Sequence, residues 1–248
     1  MPVDLPDVRR GGDMAPTHAV VASGHAALDA QLPGGGWPLD GLVELLQAQP
    51  GRFAWQLVLP ALAQVVRSQA GPVLLVGAPF APFGPGLAAQ GLPGERLLCV
   101  HAAQAPARLW ATEQALRCAQ VAAVLAWLPR ARGAELRRLH IAAQQHHRLL
   151  FVFRDEQARH EASPARVRLL VQGSQEGNGL LLQILKRRGP PLDTPLRLAA
   201  HPARLQALLQ ARQGRVAPEV VNAVANEGSV GAEVTGSLHA LDRIAVPG

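Results

Sequence analysis

The stretch from Val43 to Ser68 constrains this chain more than any other. An apolar β-type run, Val43-Glu44-Leu45-Leu46, carries a single acid and enters a polar turn, Gln47-Ala48-Gln49-Pro50-Gly51-Arg52. From Phe53 to Ser68 apolar residues recur at helical spacing through Leu57, Ala61, Leu62, Val65 and Val66. Strand, turn and helix in this order outline a phosphate loop. A working loop of that kind needs glycines that turn backbone N–H groups toward phosphate, a Lys for the β- and γ-oxygens, and a Ser or Thr hydroxyl for magnesium. Only Gly51 is present here, and the one lysine of the whole chain is Lys186. The path of a nucleotide loop is kept, and its ligands at Gln49, Pro50, Gly51 and Arg52 are not.

Beyond this segment the chain alternates. Pro72 to Gly77, Arg96 to Val100, Val121 to Trp127 and Leu149 to Phe153 are short apolar runs without period-2 polarity, as strands buried on both faces require. Helical patterns separate them: a short one from Gly86 to Gln90, then residues 106–120, then Ala134 to His147. Strand–helix alternation predicts an α/β domain with a mostly parallel sheet and right-handed crossovers. Arg154 to Pro164 reads as a loop. Val167 to Val171 and Leu180 to Leu185, joined through Gly177-Asn178-Gly179, predict an antiparallel hairpin at the sheet edge.

Residues 1–23 alternate charges with Pro and Gly and are expected to form a flexible tail. The folded domain is expected over 24–196. Residues 197–248 are expected to form an extension with one helix, Pro202 to Gln213, followed by a disordered tail. No apolar stretch is long enough to span a membrane and residues 1–24 lack the apolar core of a secretory signal, so a cytoplasmic protein is expected. The two cysteines, Cys99 and Cys118, sit in apolar or helical patterns and are expected to be structural thiols.

A net charge of +6 favours acidic partners, with weak contact to DNA among them. Its carriers concentrate at Lys186, Arg187 and Arg188 and on the helix face bearing Arg137 and Arg138, which reads either as a solvated face or as a partner surface. Phe80 and Phe83 lie in a proline-rich loop, Ala78 to Pro85, where they stack on bases, grip a partner or pack over the sheet edge. The histidines show no metal-ligand spacing and no Ser–His–acid arrangement is evident, so no metal and no cofactor are expected.

From Ser23 to Pro190 the order of elements resembles ImuA, a RecA-like protein family of bacterial SOS mutagenesis whose core is also similar to the division inhibitor SulA. The resemblance rests on Leu28-Asp29 followed by Leu32-Pro33-Gly34-Gly35-Gly36-Trp37-Pro38, on Glu44-Leu45-Leu46 with Gln49-Pro50-Gly51, and on Leu59-Pro60-Ala61-Leu62-Ala63. Further along, Trp110-Ala111 with Glu113-Gln114-Ala115-Leu116-Arg117, Ala123-Val124-Leu125-Ala126-Trp127 and Leu185-Lys186-Arg187-Arg188-Gly189 complete it. It implies a RecA-like three-layer αβα fold. Measured against RecA, Gly77-Ala78-Pro79-Phe80 offers no acid to activate water, and Trp127-Leu128 stand where an Asp would support magnesium. ATP hydrolysis is therefore not expected. The resemblance implies ImuB as partner and, through it, an error-prone C-family DNA polymerase and the sliding clamp; docking on ImuB or on RecA is the expected mode of action. A SulA-like inhibitor of cell division and an ATP-dependent DNA-binding RecA paralogue are the alternatives.

Overall fold

A computed structural model describes residues 19–199 apart from 50, 52, 175–178, 191 and 193. The expected helix Pro202 to Gln213, the tail after it, and Gly177-Asn178 of the hairpin turn lie outside the described residues.

The order of elements is β1 (Val20–Val21), α1 (Ala26–Asp29), β2 (Trp37–Pro38), β3 (Leu42–Gln47), α2 (Ala54–Ser68), β4 (Val73–Val76) and α3 (Gly84–Ala88). It continues with β5 (Leu97–Val100), α4 (Ala105–Arg117), β6 (Ala123–Trp127), α5 (Gly133–His146), β7 (Leu149–Asp155), β8 (Val167–Gly173), β9 (Gly179–Lys186) and β10 (Leu196–Ala199). Eight strands form one sheet in the order β10-β9-β8-β3-β7-β6-β4-β5. The six from β8 to β5 are mutually parallel, and β9 and β10 add antiparallel pairs at one edge. The expected parallel sheet and antiparallel edge hairpin are both present.

Helices cover both faces, so the strands read as continuous apolar runs. Successive residues of β3 divide between the faces, as the pleat demands. Val43 and Leu45 pack with Leu57, Leu62 and Val65 of α2, whereas Leu42 joins Leu116 of α4 and Leu136 and Leu139 of α5. The largest buried side chains sit on the α2 face. The Trp37 ring meets Phe151 edge-on at 5.2 Å, and Trp127 stacks on Phe153 at 4.5 Å. Such aromatic pairs contribute about 0.5–1.5 kcal/mol beyond the area they bury.

The triple glycine ahead of Trp37 carries that ring into the core. Gly34 and Gly35 take positive φ, and a Cβ on Gly36 would lie 2.4 Å from the Val21 carbonyl oxygen. The backbone passes this close because β1 pairs antiparallel with β2, Val21 opposite Trp37. Val20 and Val21, within the stretch expected to be a tail, therefore form a strand.

Two further departures have one physical origin. The strand read as ending at Phe153 runs on to Asp155, and the following segment, expected as a loop, begins with a 3₁₀ turn, Glu156–His160. Arg154 stays in the buried strand because its charge is matched there, as described below. Both cysteines are free thiols, as expected, but they are exposed rather than packed, Cys99 on the edge strand β5 and Cys118 at the end of α4.

Candidate functional site

The loop between β3 and α2 lies at the carboxyl ends of the parallel strands, where open α/β sheets bind ligands. Gln47, the last residue of β3, is 2% exposed, and its Oε1 accepts a hydrogen bond from the Gly51 N–H at 3.2 Å. Gly51 has a φ of +81°, and a Cβ there would come within 2.9 Å of Pro79 Cγ and against the Phe80 ring. On the other side the Phe53 ring lies over the backbone of Gly173 on β8. The loop is thus filled by its own glutamine and leaned upon by the turn after β4. A N–H that a phosphate would use is already donated internally, so an anion entering here must displace Gln47. Gln49 is exposed, while Pro50 and Arg52 lie outside the described residues. At the neighbouring strand ends stand Ala78-Pro79 after β4 and Leu128 after β6.

One constellation escaped the sequence reading. Glu44, in the middle of β3, is fully buried and lies between two arginines on the flanking strands. Its Oε1 accepts from Arg154 Nη1 of β7 at 2.9 Å, and its Oε2 accepts from Arg168 Nε of β8 at 2.7 Å. Arg154 also donates to Glu161 Oε2 at 2.8 Å and to the Ala131 carbonyl at 2.7 Å. Arg168 reaches the carbonyls of Ala158 and Glu161 around the 3₁₀ turn. Burial pulls the Arg154 guanidinium down, but hydrogen bonds and charge from Glu161 and Glu44 more than offset this, and the net shift is upward. Both carboxylate oxygens of Glu44 are thus held by guanidinium groups. The network clamps the segment after β7 onto the sheet. Its sequence signal was a lone acid in an otherwise apolar strand.

The basic residues singled out in the sequence do not share one surface. Lys186 Nζ donates to the Ser163 carbonyl at 2.8 Å. Arg187 Nη1 donates to the backbone and side-chain oxygens of Gln31, at 2.6 and 2.9 Å, and so ties the end of β9 to the turn after α1. Arg188 borders a small cavity beside Asp40 and Arg166, which form an ion pair at 2.9 Å. Next to that pair, His140 Nδ1 accepts from the Leu42 N–H at 3.2 Å, and burial first, then the Arg166 charge, lower its pKa.

On α5, Arg137 and Arg138 line a groove with Ile141, Ser163 and Pro164. Arg138 pairs with Glu113 of α4, which also binds Arg117 at 2.7 Å. Phe80 and Phe83 project into solvent at 74% and 73% exposure rather than covering the sheet edge. Among the described residues no group of three or more His, Cys, Asp or Glu side chains is placed to hold a metal ion, and no helix is long and apolar enough to cross a membrane.

No family model matches the chain. Over 107 residues it is 34% identical to the cell division inhibitor SulA of Edwardsiella piscicida. That alignment takes in 43% of this chain and 64% of the relative, so the chain spans just under two thirds of the curated protein it matches. The similarity agrees with the resemblance of the core to SulA noted from the sequence.

Proposed function

We propose that this protein acts by contact, as a RecA-like accessory module of error-prone translesion DNA synthesis that works without ATP hydrolysis. It docks on ImuB, on RecA, or on both, and so helps bring the mutagenic C-family polymerase to lesions. The observation that carries this reading is the loop at Gln47 to Phe53. There Gln47 is buried and Gly51 spends its N–H on that side chain, which supports a loop that works without a bound phosphate. Similarity to SulA supports an SOS context, and the ordered motifs from Ser23 to Pro190 support the ImuA branch of it. Co-purification of the full chain with ImuB and with RecA tests the proposal: retention by either supports it, and a protein that ignores both refutes it.

A second reading draws on the same similarity. The 107 matched residues belong to a cell division inhibitor, so the chain is alternatively an inhibitor that binds the tubulin-like division protein. Arrest of division filaments by the purified chain, with no retention by ImuB, reverses the assignment.

A further inference from the structure

The groove on the outer side of α5 is not accounted for by the contacts that hold the fold together. It encloses about 510 Å³ between the helix and the loop that leads into β8, lined by Gly133, Ala134, Arg137, Arg138, Ile141, Ala162, Ser163 and Pro164. Its floor is apolar, and Ile141 is left 44% exposed on a helix whose other face is packed against the sheet. Its rim is cationic. Arg137 is exposed and makes no hydrogen bond or ion pair among the described residues. Lys186 reaches the same loop through the Ser163 carbonyl. The acids nearby are already committed: Glu113 to Arg117 and Arg138, Glu161 to Arg154, and Glu135 to the Arg132 backbone N–H. The groove therefore combines an uncovered aliphatic floor with one guanidinium, Arg137, that no carboxylate pairs with among the described residues.

We infer that this groove binds a peptide segment of a protein partner in which acidic residues alternate with aliphatic ones. The aliphatic side chains cover Ile141 and Pro164, and a carboxylate pairs with Arg137, the fork geometry of guanidinium favouring two parallel hydrogen bonds. A nucleic-acid backbone fits less well. The groove offers no aromatic ring for base stacking among its lining residues, and Glu113 sets a carboxylate beside Arg138. The inference goes beyond the proposed function, since it names a surface and the chemistry of what covers it, and it holds whether the partner belongs to translesion synthesis or to cell division.

The test uses the full chain and a short fluorescein-labelled peptide alternating Glu and Asp with Leu, read by fluorescence anisotropy. The same peptide with Lys in place of the acids and a labelled single-stranded oligodeoxynucleotide serve as the other probes. The acidic peptide is expected to bind and the lysine peptide not to. Arg137→Glu and Ile141→Asn are each expected to weaken binding by about tenfold, equivalent to about 1.4 kcal/mol. Arg67→Glu, an equal charge reversal on the solvent side of α2 across the sheet, is expected to leave it unchanged. Absence of binding overturns the inference. So does an equal loss with Arg67→Glu, which would mean undirected charge attraction, or oligodeoxynucleotide binding through Arg137 in place of the peptide. If the peptide fails while the chain still co-purifies with ImuB, the groove assignment falls and the proposed function stands. Both single-residue changes lie on the exposed face of α5, so folded protein is expected for each, checked by circular dichroism.

Discussion

Replacing Glu44 by Gln probes the clamp that joins β3, β7 and β8. The substitution keeps shape and volume but removes the negative charge between Arg154 and Arg168, whose side chains are 2% and 7% exposed. Arg154 retains Glu161 and the Ala131 carbonyl, and Arg168 retains carbonyls of the 3₁₀ turn, so neither loses every acceptor. Both nevertheless keep a buried positive charge, Arg168 with no carboxylate left in contact. Breaking a buried pair from one side costs about 3–5 kcal/mol. That is a large share of the 5–15 kcal/mol that typically holds a domain folded. For a domain of this size each kcal/mol moves the melting temperature by about 2–4 °C, so Glu44→Gln is expected to lower it by about 6–20 °C in thermal circular dichroism. The same argument predicts that replacing all three members with apolar residues of similar volume, Glu44→Leu with Arg154→Met and Arg168→Met, recovers most of the loss, since desolvation of the charges disappears with them. A Glu44→Gln protein that melts within 2 °C of the parent, or a triple variant less stable than the single one, would refute the reasoning.

Three further outcomes follow from particular side chains. His140 and His25 both have folded-state pKa values below the ordinary 6.5, with burial as the leading cause. The unfolded chain therefore binds more protons below pH 6.5, and stability is expected to fall as pH drops from there. His140→Gln, which keeps an acceptor for the Leu42 N–H, should flatten that fall in urea titrations across this range, and an identical slope would remove His140 from the account. Gly51→Ala should cost about 1–3 kcal/mol in urea unfolding, because its φ of +81° and its contact with Pro79 leave no room for a methyl group; a loss below about 0.5 kcal/mol would mean that the turn relaxes freely. Cys99 and Cys118, both exposed, should each react with a thiol reagent in the native protein, and reaction only after unfolding would contradict their placement.

The sheet was legible because its central strands are covered on both faces: Val73–Val76, Ala123–Trp127 and Leu149–Phe153 are uninterrupted apolar runs. What the sequence hid are charges whose partners lie far along the chain. Arg154 read as the first residue of a loop and Arg168 as one position of a strand, because the carboxylate that accommodates both sits 110 and 124 residues away at Glu44. Edge strands were harder for a related reason. β10, Leu196–Ala199, is short, contains Arg197 and follows a proline-rich stretch, so its pairing with Leu180, Leu181 and Leu182 of β9 had no local signature. The cysteines were misread in the opposite direction. Leu97-Leu98-Cys99-Val100 is as apolar as an interior strand, yet β5 occupies the sheet edge, and Leu98 and Cys99 stay exposed. In the candidate site the absence of Lys, Ser and Thr from Gln47 to Phe53 was readable residue by residue. That Gln47 turns back to fill the loop was not, since a polar residue at a strand end is ordinarily solvated.

Glu44 and Gln47 are the only polar side chains in β3; Glu44 is held by two arginines, and Gln47 accepts from the Gly51 N–H through Oε1 while its buried Nε2 makes no hydrogen bond among the described residues. In a nucleotide-dependent protein the strand leading into the loop and its outlet serve the ligand. Here the polar chemistry of that strand is spent on holding neighbouring segments, the 3₁₀ turn on one side and the loop itself on the other. Freeing Glu44 costs a buried ion pair and turning Gln47 out of the loop costs its hydrogen bond to Gly51. The side chains left without internal work lie elsewhere: Phe80 and Phe83 on the loop after β4, and Arg137 and Ile141 on the outer face of α5. Recognition by this protein is therefore expected to track substitutions at those outward positions, while substitutions at Glu44 and Gln47 act on binding only as far as they act on stability. A variant of either residue that abolished partner binding in a chain still fully folded at the assay temperature would reverse that order and return the β3–α2 loop to the centre of function.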